Sequence, residues 1–269
     1  MSKKKKKQKA ATADKHELYQ ASVQGVEFEL DYVEEVFRGT RNRRPVVLRE
    51  DFCGTALSAS EWVSRRRANR AIGVDLDADV LDWGRRNNVQ PLGKAAQRVT
   101  LLRADVLKVN VRDIDMCIAF NFSYWIFRER KLLKRYFRNV YRSLVADGIF
   151  FLDIFGGYEA HRTQKERRKM DGFTYVWDQA EYNPIAADML CHIHFEFPDG
   201  SKMKKAFSYR WRLWGAQEIR DLLHETGFAR TSVHIQAFDE ETEEPIDVFY
   251  PTEVAEDYPS WIGYIVAEK

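Results

Sequence analysis

The sequence predicts an α/β fold: a mostly parallel sheet of seven strands with helices on both faces, plus an antiparallel β insertion. Three observations carry this expectation. Short apolar runs alternate with amphipathic stretches between residues 46 and 157, and their connections are short, the pattern of a parallel sheet buried under helices on each side. The texture then changes: residues 172–213 alternate apolar and polar positions around a Pro198-Asp199-Gly200-Ser201 turn, which reads as a hairpin and not as another strand–helix unit. The chain closes on one more helix, a glycine and two apolar runs.

Taken in order, residues 15–38 read as one helix, with Leu18, Val23, Phe28, Leu30, Val33 and Phe37 as an imperfect apolar stripe. A basic loop over 38–44 precedes Pro45 and a strand over 46–49. A turn over 51–55 opens a helix over 57–67. A strand over 71–76, a helix over 80–88 and strands over 99–104 and 116–121 follow. The helix over 130–145 is the clearest in the chain: Leu132, Leu133, Tyr136, Phe137, Val140, Tyr141, Leu144 and Val145 share one face, with basic residues opposite. Asp147-Gly148 ends it and a strand over 149–154 begins. The insertion supplies β segments over 173–177, 189–197 and 204–213. A helix over 217–226 closes on Gly227, and strands over 232–238 and 261–267 flank an acidic loop. The domain organisation expected is a disordered basic tail over 1–14, then a single domain over 15–269. That domain comprises a ligand-binding core over 45–157, a β-rich substrate lid over 158–213 and a closing segment over 214–269.

Composition narrows the function classes. Formal net charge is +2 in 269 residues, so no global field points to nucleic acid. Much of that charge sits in the run Lys3 to Lys7, read as a solvated tail. Cys53, Cys117 and Cys191 form neither a CxxC pair nor a disulfide framework, so a cytoplasmic setting is expected. No apolar run approaches the ~20 residues that span a bilayer, and a secretory leader is not expected. Membrane association is therefore not expected.

The chemistry concentrates in Glu50-Asp51-Phe52-Cys53-Gly54-Thr55-Ala56, where a strand ends in acids and a glycine turn opens a helix. Such a turn lets backbone approach a nucleotide-like ligand beside unpaired helix N–H groups. Asp75, 21 residues after Gly54 and at a strand end, is spaced to grip ribose hydroxyls. NAD is the competing ligand. The GxGxxG cradle is absent, however, and Glu50 repels phosphate while attracting a cation.

The stretch 46–157 resembles the Rossmann-like class I S-adenosylmethionine-dependent methyltransferases of small-molecule type. Glu50 to Ala56 is similar to the family's first motif, an acid followed by G-x-G-x-G. The resemblance implies cofactor contacts from Glu50, Phe52, Cys53, Gly54 and Thr55. It assigns Asp75 to the ribose, Asp105 to the adenine amino group and Asn121 to the neighbourhood of the transferable methyl, with Leu76 and Val106 as further cofactor contacts. It also implies an antiparallel last strand, S-adenosyl-L-methionine as cofactor and S-adenosyl-L-homocysteine as product. Tyr19 resembles tyrosines that related enzymes place over the methionine end. The departures are Phe52 and Ala56, which stand where the family has its first and third glycines. Phe52 implies that the turn differs or that its ring packs on the ligand.

Residues past the fourth and fifth strands and on the insertion are the candidate substrate contacts: Tyr124, Trp125, Tyr158, Tyr209 and Trp211. Tyr209 with Trp211, and His192 with His194, share strand faces at spacing two. An aromatic pocket suits a small cationic or amine acceptor; the alternative for these aromatics is the core of a small sheet. Asn121, Tyr124 and His192 are the candidates for positioning or proton acceptance. No metal is expected. The function expected is methyl transfer to a small-molecule acceptor, an amine nitrogen, by in-line displacement. The alternatives are an RNA or protein methyltransferase, supported by the lysine tail and Arg41 to Arg44, and a non-catalytic cofactor-binding module, supported by the altered glycine turn. The oligomeric state is not legible.

Overall fold

The structure is a computed structural model that describes residues 8–239 and 245–269. The chain forms two compact units. One joins the described residues up to Gln24 to Tyr158–Leu213; the other joins Gly25–Gly157 to Trp214–Lys269.

The larger unit holds a sheet built from β1 (Val47–Asp51), β2 (Arg70–Asp75), β3 (Val99–Arg103), β4 (Ile114–Ala119), β5 (Leu144–Gly156), β10 (Arg230–Phe238), β11 (Pro245–Thr252) and β12 (Trp261–Glu268), in the order β11-β10-β12-β5-β4-β1-β2-β3. The five strands β1 to β5 run parallel, and β12 is antiparallel to both β5 and β10. The helices of this unit are α2 (Val26–Arg41), α3 (Leu57–Arg65), α4 (Ala78–Gly84), α5 (Arg130–Ser143) and α6 (Ala216–Thr226). Period two in β5 separates the two faces. Ile149 and Phe151 join the core under α2 and α3. Phe150, between them, packs on Tyr136 and Phe137 of α5 and on Phe228. Helices therefore cover both faces, as the alternation predicts.

Two expectations are corrected here. Among the described residues the sheet has eight strands, because β11 pairs with β10 inside the segment read as an acidic loop. Pro245, Asp247 and Pro251 hide it, and an edge strand tolerates proline because one side of its ladder is empty. The helix over 15–38 is two helices, α1 (Lys15–Val23) and α2, broken at Gln24-Gly25, and the two belong to different units.

The smaller unit is a four-stranded antiparallel sheet, β6 (Gln164–Met170), β7 (Phe173–Asn183), β8 (Asp188–Glu196) and β9 (Lys202–Arg212), in that order. The predicted hairpin turn joins β8 to β9: Phe197 N–H donates to the Ser201 carbonyl at 2.9 Å and Gly200 takes φ +78°, a left-handed conformation that glycine adopts without strain. Strand β6 escaped the sequence reading because Lys165 to Lys169 are all charged. Leu18, Tyr19 and Val23 of α1 pack on Phe195, Phe207 and their neighbours. Within the tail expected to be disordered over 1–14, the described residues 8–14 are held in place. Lys9 N–H donates to Asp199 Oδ2 at 2.8 Å and Ala10 N–H to Ser201 Oγ at 3.1 Å, so the hairpin turn pins it. The run Lys3 to Lys7 lies outside the described residues.

Candidate active site

The turn after β1 keeps the shape of a glycine loop without its glycines. Phe52, Gly54 and Ala56 have φ of +56°, +50° and +56°. Glycine takes this region freely, whereas an L side chain there costs about 1–2 kcal/mol. The ring of Phe52 is accommodated by packing on Phe127 and Tyr136, at 5.9 and 5.6 Å. The turn is clamped from below: a Cβ on Gly84 would stand 2.3 Å from the Thr55 carbonyl oxygen, and one on Gly73 would stand 2.9 Å from Cys53 Sγ. Nothing lies within 4 Å of where a Cβ on Gly54 would sit, so the loop is open on the ligand side.

Asp75 ends β2 beside this turn. Gly54 N–H donates to its Oδ2 at 2.8 Å and Asp77 N–H to its Oδ1 at 2.9 Å. Leu76 follows with 65 % of its surface exposed, an apolar ledge next to a carboxylate. The Ala104 N–H donates to the Asp75 carbonyl at 2.9 Å and so ties the end of β3 to that of β2. Asp105 accepts from Leu107 N–H at 2.9 Å, and Val106 is buried. Glu50, Asp75 and Asp105 thus stand at the carboxyl ends of three adjacent parallel strands, where open α/β sheets bind ligands.

The end of β4 is shaped by Asp153 of β5. Asn121 and Phe122 both take positive φ, +58° and +55°. Phe122 N–H donates to Asp153 Oδ1 at 2.9 Å, and the Asn121 amide assists. Two expectations fail at this point. Tyr124 is 0 % exposed, and its hydroxyl donates to the Asp153 carbonyl at 2.9 Å; burial pushes its phenol well above the usual range. Trp125 is also fully buried, 4.7 Å from Phe155. Both side chains build the core beneath the site. Aromatic residues just past a strand end look identical in sequence whether they point up or down.

Period two places three polar groups on the sheet face that α2 covers, and α2 adds a fourth. Glu50 follows Leu48 on β1, Asp153 follows Phe151 on β5, and Tyr264 is paired with Asp153 across β12. The fourth is Glu29 from α2 itself, which the sequence reading missed. The available signal was an acid inside the stripe Val26, Leu30, Val33 and Phe37. Ala59 N–H donates to Glu50 Oε2 at 2.8 Å, so Glu50 caps α3, whose N-cap residue Ala56 has no side chain to do so. Burial pushes the Glu50 carboxyl up to about 8, against the Ala59 amide and the Ser58 side chain. Burial, then Asp153, pushes Glu29 up to about 8. Burial pushes Asp153 up to about 7. No basic side chain is among the causes of any of these three shifts.

These shifts have a sign in stability. Carboxyls held protonated by the fold favour the folded state fully below the unfolded value, and that advantage is lost as pH rises through the folded value. His192 and His234 are pushed down by burial and act oppositely, below about pH 6.5. The ligand-free protein should therefore lose several degrees of Tm between about pH 6.5 and 8.5. Thermal unfolding across that window is the check, and a flat or rising Tm contradicts the protonated cluster.

The remaining candidates belong to the smaller unit. Tyr19 packs on Phe207 at 4.9 Å and shares a side-chain hydrogen bond with Tyr209. Tyr209 stacks on Trp211 at 4.6 Å, the pairing that strand spacing predicts. His192 is on the opposite sheet face. It pairs with Ser208, its Nδ1 lies 2.8 Å from Ser208 Oγ, and Tyr209 instead pairs with Cys191. His192 and the Tyr209–Trp211 pair therefore cannot line one pocket on this sheet, which corrects that grouping. Tyr158 is 53 % exposed. Of the basic loop, Arg41 pairs with Glu268 and Arg43 with Asp115 and Asp147, so these arginines serve the fold. Among the described residues no helix is long and apolar enough to cross a membrane.

Residues 51–152 match the family model of the methyltransferase domain. No curated protein sequence matches the chain. Solved structures resemble it along nearly its whole length. An S-adenosylmethionine-dependent methyltransferase from Clostridium acetobutylicum is 17 % identical with a TM-score of 0.68, covering 94 % of this chain and 96 % of that one. An amino pentose methyltransferase from Micromonospora echinaspora, involved in calicheamicin biosynthesis and solved with S-adenosylmethionine bound, is 12 % identical with a TM-score of 0.66, covering 94 % and 95 %. A sugar N-methyltransferase from Streptoalloteichus is 16 % identical with a TM-score of 0.64, covering 96 % and 93 %. At these identities the likeness is one of fold.

Proposed function

We propose that this class I S-adenosylmethionine-dependent methyltransferase transfers the methyl group to an amine nitrogen of a small molecule. The observation that carries the reading is the row of carboxylates at the carboxyl ends of β1, β2 and β3, continued by Glu29 and Asp153 with no basic side chain among the causes of their shifts. That donor set fits a ligand with ribose hydroxyls and positive charge, and it disfavours one with phosphates. Similarity of fold to an amino pentose and a sugar N-methyltransferase supports an amine acceptor of that size.

In this reading Asp75 holds the ribose, Leu76 and Val106 flank the base, and Asp105 meets its amino group. Gly54 leaves the loop open for close approach, and Glu50, held protonated in the ligand-free protein, gives up its proton beside a cationic methionine end. The cofactor supplies a methyl group already activated on a sulfonium. The protein's work is then alignment, desolvation and charge placement. The turn at Asn121 and Phe122, pinned by Asp153, shapes the floor beside the methyl. The phenol of Tyr124 takes no part, since its hydroxyl is tied to backbone. Tyr19, Tyr158, Tyr209 and Trp211 of the smaller unit are proposed as aromatic contacts of the acceptor.

The experiment is a transfer assay with donor labelled in the methyl group, offered amino sugars, small primary and secondary amines, their hydroxyl counterparts, bulk RNA and a peptide mixture. Label entering amines but not hydroxyl counterparts is the expected result. Label entering RNA or peptide instead rejects the small-molecule assignment, and no binding of S-adenosylhomocysteine at millimolar concentration rejects catalysis altogether.

A further inference from the structure

The position of Glu29 follows from the sheet order. α2 packs on the sheet face that carries Leu48 of β1 and Phe151 of β5, and Glu29 is close enough to Glu50 and Asp153 for their charges to be coupled. β4 lies between those two strands, so Glu29 stands over the carboxyl end of β4. The floor there is Phe120, 5.4 Å from Tyr264. No ion pair or hydrogen bond engages the Glu29 side chain among the described residues, and no basic residue contributes to its shift. A second, independent feature lies one turn along α2. Tyr32 is only 8 % exposed, and its hydroxyl has no hydrogen-bond partner among the described residues. Its ring stacks on Tyr264 at 4.6 Å, and Tyr264 feels Glu29, Asp153 and Tyr32 together. A half-buried carboxylate with no basic partner and, one turn along the same helix, an orphaned buried hydroxyl each cost free energy without a partner. A cation with N–H or polarised C–H donors satisfies both.

We infer that Glu29 is the carboxylate that holds positive charge at the reacting centre, a sulfonium before transfer and an ammonium after it. The inference rests on the methyltransferase reading and adds a residue and a charge preference to it. During transfer the lone pair of the acceptor nitrogen forms the bond to the methyl carbon. The carbon–sulfur bond breaks with its electron pair remaining on sulfur. The positive charge thus passes from sulfur to nitrogen, and a neutral thioether is left. A carboxylate over β4 attracts the charge at both ends of that path, while the turn of Asn121 and Phe122 keeps the two atoms in line. Glu29 therefore favours ligands charged at the reacting position over a neutral thioether of the same size. Asp153, held by the Phe122 and Asn121 N–H groups, and Glu50, held by Ala59 and Ser58, are already engaged by the fold and do not occupy that position.

The test is isothermal titration of three ligands into wild type and Glu29→Gln. The ligands are S-adenosylmethionine, sinefungin, which carries an ammonium in place of the methylsulfonium, and S-adenosylhomocysteine, which is neutral there. The variant should lose about tenfold or more in affinity for the first two, with the third changed less than about twofold. Glu29→Asp, which keeps the charge, should retain part of the preference. A parallel fall for all three ligands makes Glu29 a structural residue and overturns the inference, as does an unchanged ratio of charged to neutral affinities. Wild type binding none of the three would instead reject the methyltransferase reading, so the two failures are separable.

Discussion

Arg49→Met should destabilise the protein by about 3–5 kcal/mol, the usual cost of stranding one member of a buried ion pair. Arg49 is 0 % exposed and Asp51 2 %, and the Arg49 Nε–H donates to Asp51 Oδ1 at 2.7 Å. Asp51 also accepts from the Tyr136 hydroxyl at 2.9 Å and from Cys117 Sγ at 3.6 Å. Removing the guanidinium leaves a carboxylate among a phenol, a thiol and apolar rings, far from water. The double variant Arg49→Met with Asp51→Asn should lose less than the single one, because a neutral amide still accepts from Tyr136 and strands no charge. Urea titration of the three proteins measures this. A single variant within about 1 kcal/mol of wild type would mean that water reaches Asp51. Asp51 opens the turn that runs to Ala56, so the pair anchors the strand end on which the proposed cofactor loop is built.

Asp75→Ala should lower affinity for S-adenosylhomocysteine about 100-fold, the effect of losing two charge-assisted hydrogen bonds. Each carboxylate oxygen already accepts one backbone N–H, from Gly54 and from Asp77. Each retains a further lone pair for a ribose hydroxyl. The substitution thus removes the ligand's acceptors and also loosens the turn around Gly54. Asp75→Asn separates the two effects, since its amide oxygen can still hold the Gly54 N–H while charge is lost. It should bind more weakly than wild type and better than alanine. Calorimetry with S-adenosylhomocysteine decides: equal affinity for wild type and Asp75→Ala removes Asp75 from the site.

The strand–helix alternation of the larger unit was legible because strands buried on both faces are short apolar runs whatever their neighbours. The same logic hid β6 and β11. A strand that is charged or broken by proline is stabilised by the ladder it joins and not by its own composition. The turn at Phe52 and Ala56 was ambiguous for a related reason. A sequence shows that glycines are missing, but not that Phe127 and Tyr136 provide a seat for the Phe52 ring and so sustain positive φ. Tyr124 and Trp125 were legible as residues past a strand end and illegible as to direction, because the Asp153 carbonyl and Phe155 that receive them come from another strand.

The sequence alone determined the kind of sheet, the place of the ligand loop and the acids at successive strand ends, because period, turn chemistry and spacing are local properties of the chain. Only the tertiary structure decided that residues 15–38 are two helices serving two units, that His192 and Tyr209 lie on opposite sheet faces, and that Glu29 comes to the end of β4. Those outcomes depend on which elements meet in space, and a contact between distant segments leaves no mark on either segment read separately.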